Sequence, residues 1–83
     1  MLNTKHLLKV ADTYGKLTKV EEKTVSSRVF DDSKKLRAIR AGADITVGRY
    51  NAALEWFSEN WPEGKKWPDS VPRPGQQDLE AVS

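Results

Sequence analysis

The polar residues between Lys23 and Arg40 are of types that bind phosphates and base edges. They combine short hydroxyl side chains with cations: Lys23, Thr24, Ser26, Ser27, Arg28, Lys34, Lys35, Arg37 and Arg40. Such side chains donate hydrogen bonds to phosphate oxygens, and an arginine can donate two parallel hydrogen bonds to a guanine. The segment therefore predicts contacts to DNA, with Arg28 as the candidate for reading a base.

Charge is distributed unevenly along the chain. Residues 1–42 carry a net charge of +5 and residues 43–83 a net charge of −3, which gives +2 for all 83 residues. A basic half of this kind is typical of proteins that bind nucleic acid. The alternative is an ordinary solvated surface, and charge alone does not separate the two.

Residues that carry catalysis or bind metals are scarce. The chain has no cysteine, and His6 is its single histidine. A serine nucleophile would therefore have no second histidine to act as its general base. A lone histidine without cysteine also makes a poor metal site. Neighbouring acidic residues such as Glu21 and Glu22 point in different directions on a helix. We predict a protein that is not an enzyme and that binds neither a metal nor a cofactor.

Helices must position these residues, and two are clear from the sequence. Apolar residues at helical spacing predict a first helix from Thr4 to Leu17, capped by Asn3 or Thr4. A second stripe predicts another helix that follows Thr46 as its N-cap and ends before Pro62. Its members are Val47, Tyr50, Leu54, Phe57 and Trp61.

Two shorter helices are expected between them. Thr18 and Glu21 have the spacing of a capping box, so the helix that ends at Phe30 begins there or near Glu22. Its valines, Val25 and Val29, share a face and should point inward. A third helix, KKLRAIRA, would be capped by Asp32 or Ser33 and ended by Gly42.

The stretch VADTYGKLTKVEEKTVSSRVF, residues 10–30, resembles a helix-turn-helix. TVSSRVF in particular resembles the TVSRV recognition helix of the lac repressor family headpiece and, more loosely, of phage repressors. The resemblance implies a DNA-binding domain whose helix at Glu22–Phe30 enters the major groove. The chain departs from that pattern by a longer link between the two helices and by one extra residue in TVSSRVF.

The C-terminal part of the chain differs in composition, with all four prolines after residue 61. We predict an all-α protein with a compact four-helix, helix-turn-helix-type domain over residues 1–62. Residues 63–74 should form an extended arm that packs back through Trp67, because an exposed indole forgoes apolar burial. Residues 75–83 are expected to be a disordered tail.

The function predicted from these features is sequence-specific DNA binding by a transcriptional regulator of a bacterium, phage or mobile element. The expected partner is double-stranded DNA, bound by a homodimer in a cytoplasmic, nucleoid-associated setting without membrane contact. An alternative is a protein-binding regulator, an anti-activator or adaptor, that uses its aromatic C-terminal half. Trp56, Trp61 and Trp67 would then be the interface, although a small domain also needs such residues for its core.

Overall fold

The part of the chain that the structure describes folds into four helices joined by short connections. A computed structural model describes residues 3–74. It contains α1 (Thr4–Thr18), α2 (Glu22–Phe30), α3 (Lys35–Arg40) and α4 (Val47–Glu59). No strand occurs within these described residues. The predicted all-α class with four helices is confirmed, whereas the tail predicted at 75–83 lies outside the described part of the chain.

Polar side chains cap the two long helices at the predicted positions. The side-chain oxygen of Asn3 accepts hydrogen bonds from the backbone N–H groups of Lys5 and His6, at 3.1 and 3.3 Å. At the start of α4, the hydroxyl of Thr46 accepts from the N–H of Arg49 at 3.2 Å. Each cap satisfies donors that have no partner inside the helix.

The connection between α1 and α2 consists of residues 19–21, so the predicted start of the second helix near Glu22 is confirmed. α1 continues through Gly15 to Thr18, whose hydroxyl donates to the backbone of α1 (2.7 Å), so the predicted capping role of Thr18 in α2 is wrong. Lys19 ends α1 in the left-handed conformation (φ 59°), and the N–H of Val20 then donates to the Gly15 carbonyl at 3.0 Å. A Cβ at position 15 would lie 3.0 Å from the Val20 carbonyl oxygen, so glycine allows this close approach.

The turn into α3 also differs in detail from the prediction. Asp31 ends α2 in the left-handed conformation (φ 57°). The Asp32 carboxylate accepts from the N–H of Lys34 at 2.9 Å, as a residue at the start of a helix would, but α3 itself begins only at Lys35. Gly42 follows α3 with a φ of 110°, which favours glycine and agrees with its predicted role in ending the helix.

The core draws on all four helices, the loop before α4 and the arm. Its buried apolar side chains are Leu7, Val10, Ala11, Tyr14, Val25, Leu36, Ile39, Ile45, Tyr50, Ala53, Leu54, Phe57, Trp61, Trp67 and Val71. α1 and α4 run in the same direction, because the Tyr50 hydroxyl donates to the Asn3 carbonyl (3.0 Å) while Tyr14 contacts Phe57 further along.

Val47 does not belong to this core, so its predicted place in the apolar stripe is wrong. It is 61% exposed, whereas the preceding Ile45 is buried. The Tyr50 side chain reaches Asn3, the N-cap of α1, and Val47 lies one helical turn closer to the start of α4 than Tyr50 does. No part of α1 is therefore available to cover Val47.

The segment 63–74 has no regular secondary structure but packs against α4. The Trp67 ring lies 4.8 Å from the Trp61 ring, and its indole N–H donates to the Val71 carbonyl at 2.8 Å. The Ser58 hydroxyl of α4 donates to the Pro74 carbonyl at 3.0 Å. The prediction that Trp67 packs back on the helices is confirmed.

Candidate nucleic-acid interface

The candidate site is the outward face of α2. Successive residues of a helix are about 100° apart, so Val25 and Val29 share one side and the polar residues occupy the other. Val25 is buried and Val29 packs against the core, as predicted. Lys23, Ser27 and Arg28 are exposed and Thr24 is half-buried. These four side chains form the outward face of α2.

Ser26 is not part of this face, and its assignment as a DNA contact is wrong. It is 0% exposed. Its hydroxyl donates to the Asp32 carbonyl (2.5 Å) and accepts from the N–H of Leu36 (3.0 Å). Both hydrogen bonds fasten the turn before α3 to α2, so Ser26 is a structural residue that holds these two helices together.

Arg28 lies on the side of the outward face that borders α1. Its Nη1 donates to the phenol oxygen of Tyr14 at 3.3 Å. An arginine has five N–H donors, so this bond leaves most of the guanidinium available. Arg28 is therefore exposed and partly held in place at the same time.

The remaining predicted cations belong to α3 and to its N-cap. Lys34, Lys35 and Arg37 form no ion pair with any residue of the described range 3–74. Lys23, on α2, lies 3.7 Å from the Glu21 carboxylate, but both side chains are about three-quarters exposed. Such a pair is weak in water and leaves Lys23 able to exchange Glu21 for a phosphate.

Arg40 differs from its neighbours because two carboxylates already neutralise it. Its Nη2 donates to Asp12 of α1 at 2.7 Å and to Glu22 of α2, and its Nε donates to Glu22 at 3.1 Å. The hydrogen bonds that Arg40 donates, first to Glu22 and second to Asp12, raise the pKa of Arg40. Arg40 thus links three helices, which corrects its assignment as a phosphate contact.

The predicted tryptophan interface is mostly inside the protein. Trp61 and Trp67 are buried, at 8% and 9% exposure, and each indole N–H donates to a backbone carbonyl. Trp56 is half-buried and meets Tyr14 and Phe57 edge-on, with ring centres 5.5 and 5.4 Å apart. A partner could reach only Trp56 without opening the core.

Sequence reasoning missed Tyr14, Asp12 and Glu22 as neighbours of the site. Each contacts a site residue far along the chain: Tyr14 accepts a hydrogen bond from Arg28, and the two carboxylates pair with Arg40. Their helical spacing gave no signal for these contacts, which depend on how α1 crosses α2 and α3.

Two further features are absent from the described range. None of the helices between residues 3 and 74 combines the length and apolar character needed to cross a bilayer. The same residues contain no group of three or more His, Cys, Asp or Glu side chains placed to hold a metal ion.

Comparison of the chain with protein-family models, with curated protein sequences and with solved structures finds no significant match. The resemblance to the lac repressor family headpiece therefore stays a prediction. The link between the first two helices, which the sequence indicated to be longer than in that family, consists only of residues 19–21.

Proposed function

We propose that this protein binds double-stranded DNA in a sequence-specific manner and acts as a transcriptional regulator. The observation that carries the proposal is the division of α2 into a buried apolar side and an exposed polar side. A recognition helix needs both, one to hold it on the domain and one to meet base edges. Arg28 has the donors for a guanine, while Thr24 and Ser27 can reach phosphate or base.

The cations of α3 give the proposal its second component. Lys34 and Lys35 stand at the start of α3 and Arg37 follows on its exposed side. Ser26 fastens this segment to α2, so α3 keeps a fixed position against the helix that carries the outward face. We assign them to phosphate contacts, which strengthen binding to any duplex and make it depend on salt.

Size favours binding as a homodimer. A single small module buries about 600–1,000 Å² of its surface on DNA, which supports only weak binding. Two copies on a site with two-fold symmetry would double the contacts and read two half-sites.

Fluorescence anisotropy with a labelled duplex, titrated at several salt concentrations, tests the proposal. We compare the wild-type protein with K34A/K35A and with K65A/K66A, a second pair of adjacent lysines that lies on the arm. K34A/K35A should weaken binding and reduce the steepness of the plot of log affinity against log salt by about 2. K65A/K66A should leave this slope unchanged.

Two results would contradict the proposal. A salt slope for K34A/K35A equal to that of the wild type would show that Lys34 and Lys35 are not phosphate contacts. Absence of binding at every salt concentration would reject DNA as the partner and direct attention to a protein partner at Trp56.

A further inference from the structure

Tyr14 lies beneath the edge of the outward face rather than on it. The residue is only 5% exposed, and its ring meets Trp56 and Phe57 of α4 edge-on at 5.5 and 5.4 Å. It also lies 6.2 Å from the Trp61 ring. Aromatic contacts on several sides fix the ring, so its phenol oxygen has a defined position below α2.

That oxygen meets one side chain of the candidate interface. Arg28 Nη1 donates to it at 3.3 Å, and within residues 3–74 the phenol group has no other hydrogen-bond partner. Within these residues the hydroxyl of Tyr14 therefore makes no hydrogen bond to α4. Its visible effect is on the guanidinium of Arg28.

We propose that Tyr14 is a positioning residue for Arg28, an inference that rests on the proposed DNA binding. One N–H of Nη1 is used on Tyr14, and the edge formed by Nε and Nη2 keeps the donors for a fork onto guanine. A long, flexible side chain loses rotamer freedom when it binds a base. Holding it beforehand on a fixed ring lowers that loss and favours the base that matches the held geometry.

This role differs from nonspecific attraction. A cation that only meets phosphate strengthens binding to every duplex, whereas a positioned guanidinium increases the preference for one base. Removing the Tyr14 hydroxyl should therefore reduce discrimination between sequences and leave the dependence on salt unchanged.

The experiment begins by selecting a preferred duplex from a randomised pool with the wild-type protein. Affinities are then measured for that duplex and for versions in which each guanine is replaced by adenine. The variants are Y14F, R28A and, as a matched control, Y50F, which removes a tyrosine hydroxyl whose hydrogen bond goes to Asn3 instead. A thermal melt of each variant monitors the fold.

We expect R28A to abolish the preference for one guanine. Y14F should reduce that preference about three- to tenfold, the range for loss of one hydrogen bond, at an unchanged salt slope. Y50F should match the wild type. In the free protein, the NMR signal of Arg28 Nε–Hε should broaden or exchange faster in Y14F than in the wild type.

The possible failures are distinguishable. If R28A loses the preference and Y14F keeps it, DNA reading by Arg28 stands and the positioning role of Tyr14 is rejected. If R28A itself keeps the preference, Arg28 is not the reader and the inference is overturned. If the wild type binds no duplex at any salt concentration, the proposed function and the inference both fail. An unchanged Arg28 signal in Y14F would reject the positioning role without any DNA.

Discussion

The α2–α3 region and the C-terminal arm use similar residues in opposite ways. In the arm, Arg73 donates to the hydroxyl and carbonyl oxygens of Ser58 at 3.1 and 2.9 Å and lies over the Trp67 ring at 5.2 Å. Arg28 donates once, to Tyr14, and is otherwise exposed. Arg73 therefore holds the arm on α4, whereas Arg28 keeps most of its N–H donors available for a ligand.

The serines show the same contrast within a single turn of helix. Ser26 uses its hydroxyl as donor and acceptor inside the protein, and Ser27 presents its hydroxyl to solvent. Whether such a residue can bind a ligand depends on the hydrogen-bonding groups that remain free after folding.

Among the substitutions that test this comparison, the largest loss of stability is expected in the arm. W67A removes a buried indole, its contact with Trp61 and its hydrogen bond, and should lower the free energy of unfolding by about 3–5 kcal/mol. Urea denaturation measures the loss. W56A, at a half-buried ring, is the control and should cost clearly less. A loss below about 1 kcal/mol for W67A would show that the arm adds little to the core.

The next effect separates the two adjacent serines. S26A leaves the Leu36 N–H without its partner and removes one of the two hydrogen bonds to the Asp32 carbonyl, so it should destabilise the protein by about 1–3 kcal/mol. S27A changes a solvent-exposed hydroxyl and should alter stability by no more than about 0.5 kcal/mol. Equal stabilities in denaturation would contradict the assignment of Ser26 as the fastening residue.

A smaller difference is expected between the two arginines. R73A removes two hydrogen bonds to Ser58 and a cation–π contact in a half-buried setting, so a loss of about 1–2 kcal/mol follows. R28A removes a single hydrogen bond, to the phenol oxygen of Tyr14, and should lower the unfolding free energy by about 0.5–1 kcal/mol while it weakens DNA binding. The reverse pattern in paired unfolding and anisotropy measurements would mean that the roles of the two regions are exchanged.

The smallest effect is at Arg40, whose ion pairs are partly solvent-exposed. R40M should destabilise the protein by no more than about 1 kcal/mol, and less at high salt, because water and ions screen such pairs. Since folding raises the pKa of Arg40, its stabilising contribution is present below the unfolded pKa and disappears only as the pH rises through the folded value. The difference between R40M and wild type that is due to ionisation of Arg40 should therefore be constant between about pH 6 and 9. A difference that shrinks from pH 6 to 9 would contradict this account.

The sequence by itself determined the features that depend on near neighbours. The caps Asn3 and Thr46, the apolar faces of α1 and α4 and the burial of Trp67 follow from helical spacing and from the cost of exposing an indole. These signals operate within one or two turns of chain, so a single sequence reveals them.

Only the tertiary structure decided which residues of similar type remain available. Ser26 and Arg40 were grouped with their exposed neighbours, but their partners lie up to 10 and 28 residues away. Val47 fitted the apolar stripe of α4, yet α1 does not extend far enough to cover it. Burial and pairing depend on where separate helices meet, and periodicity along one helix carries no information about the position of the next.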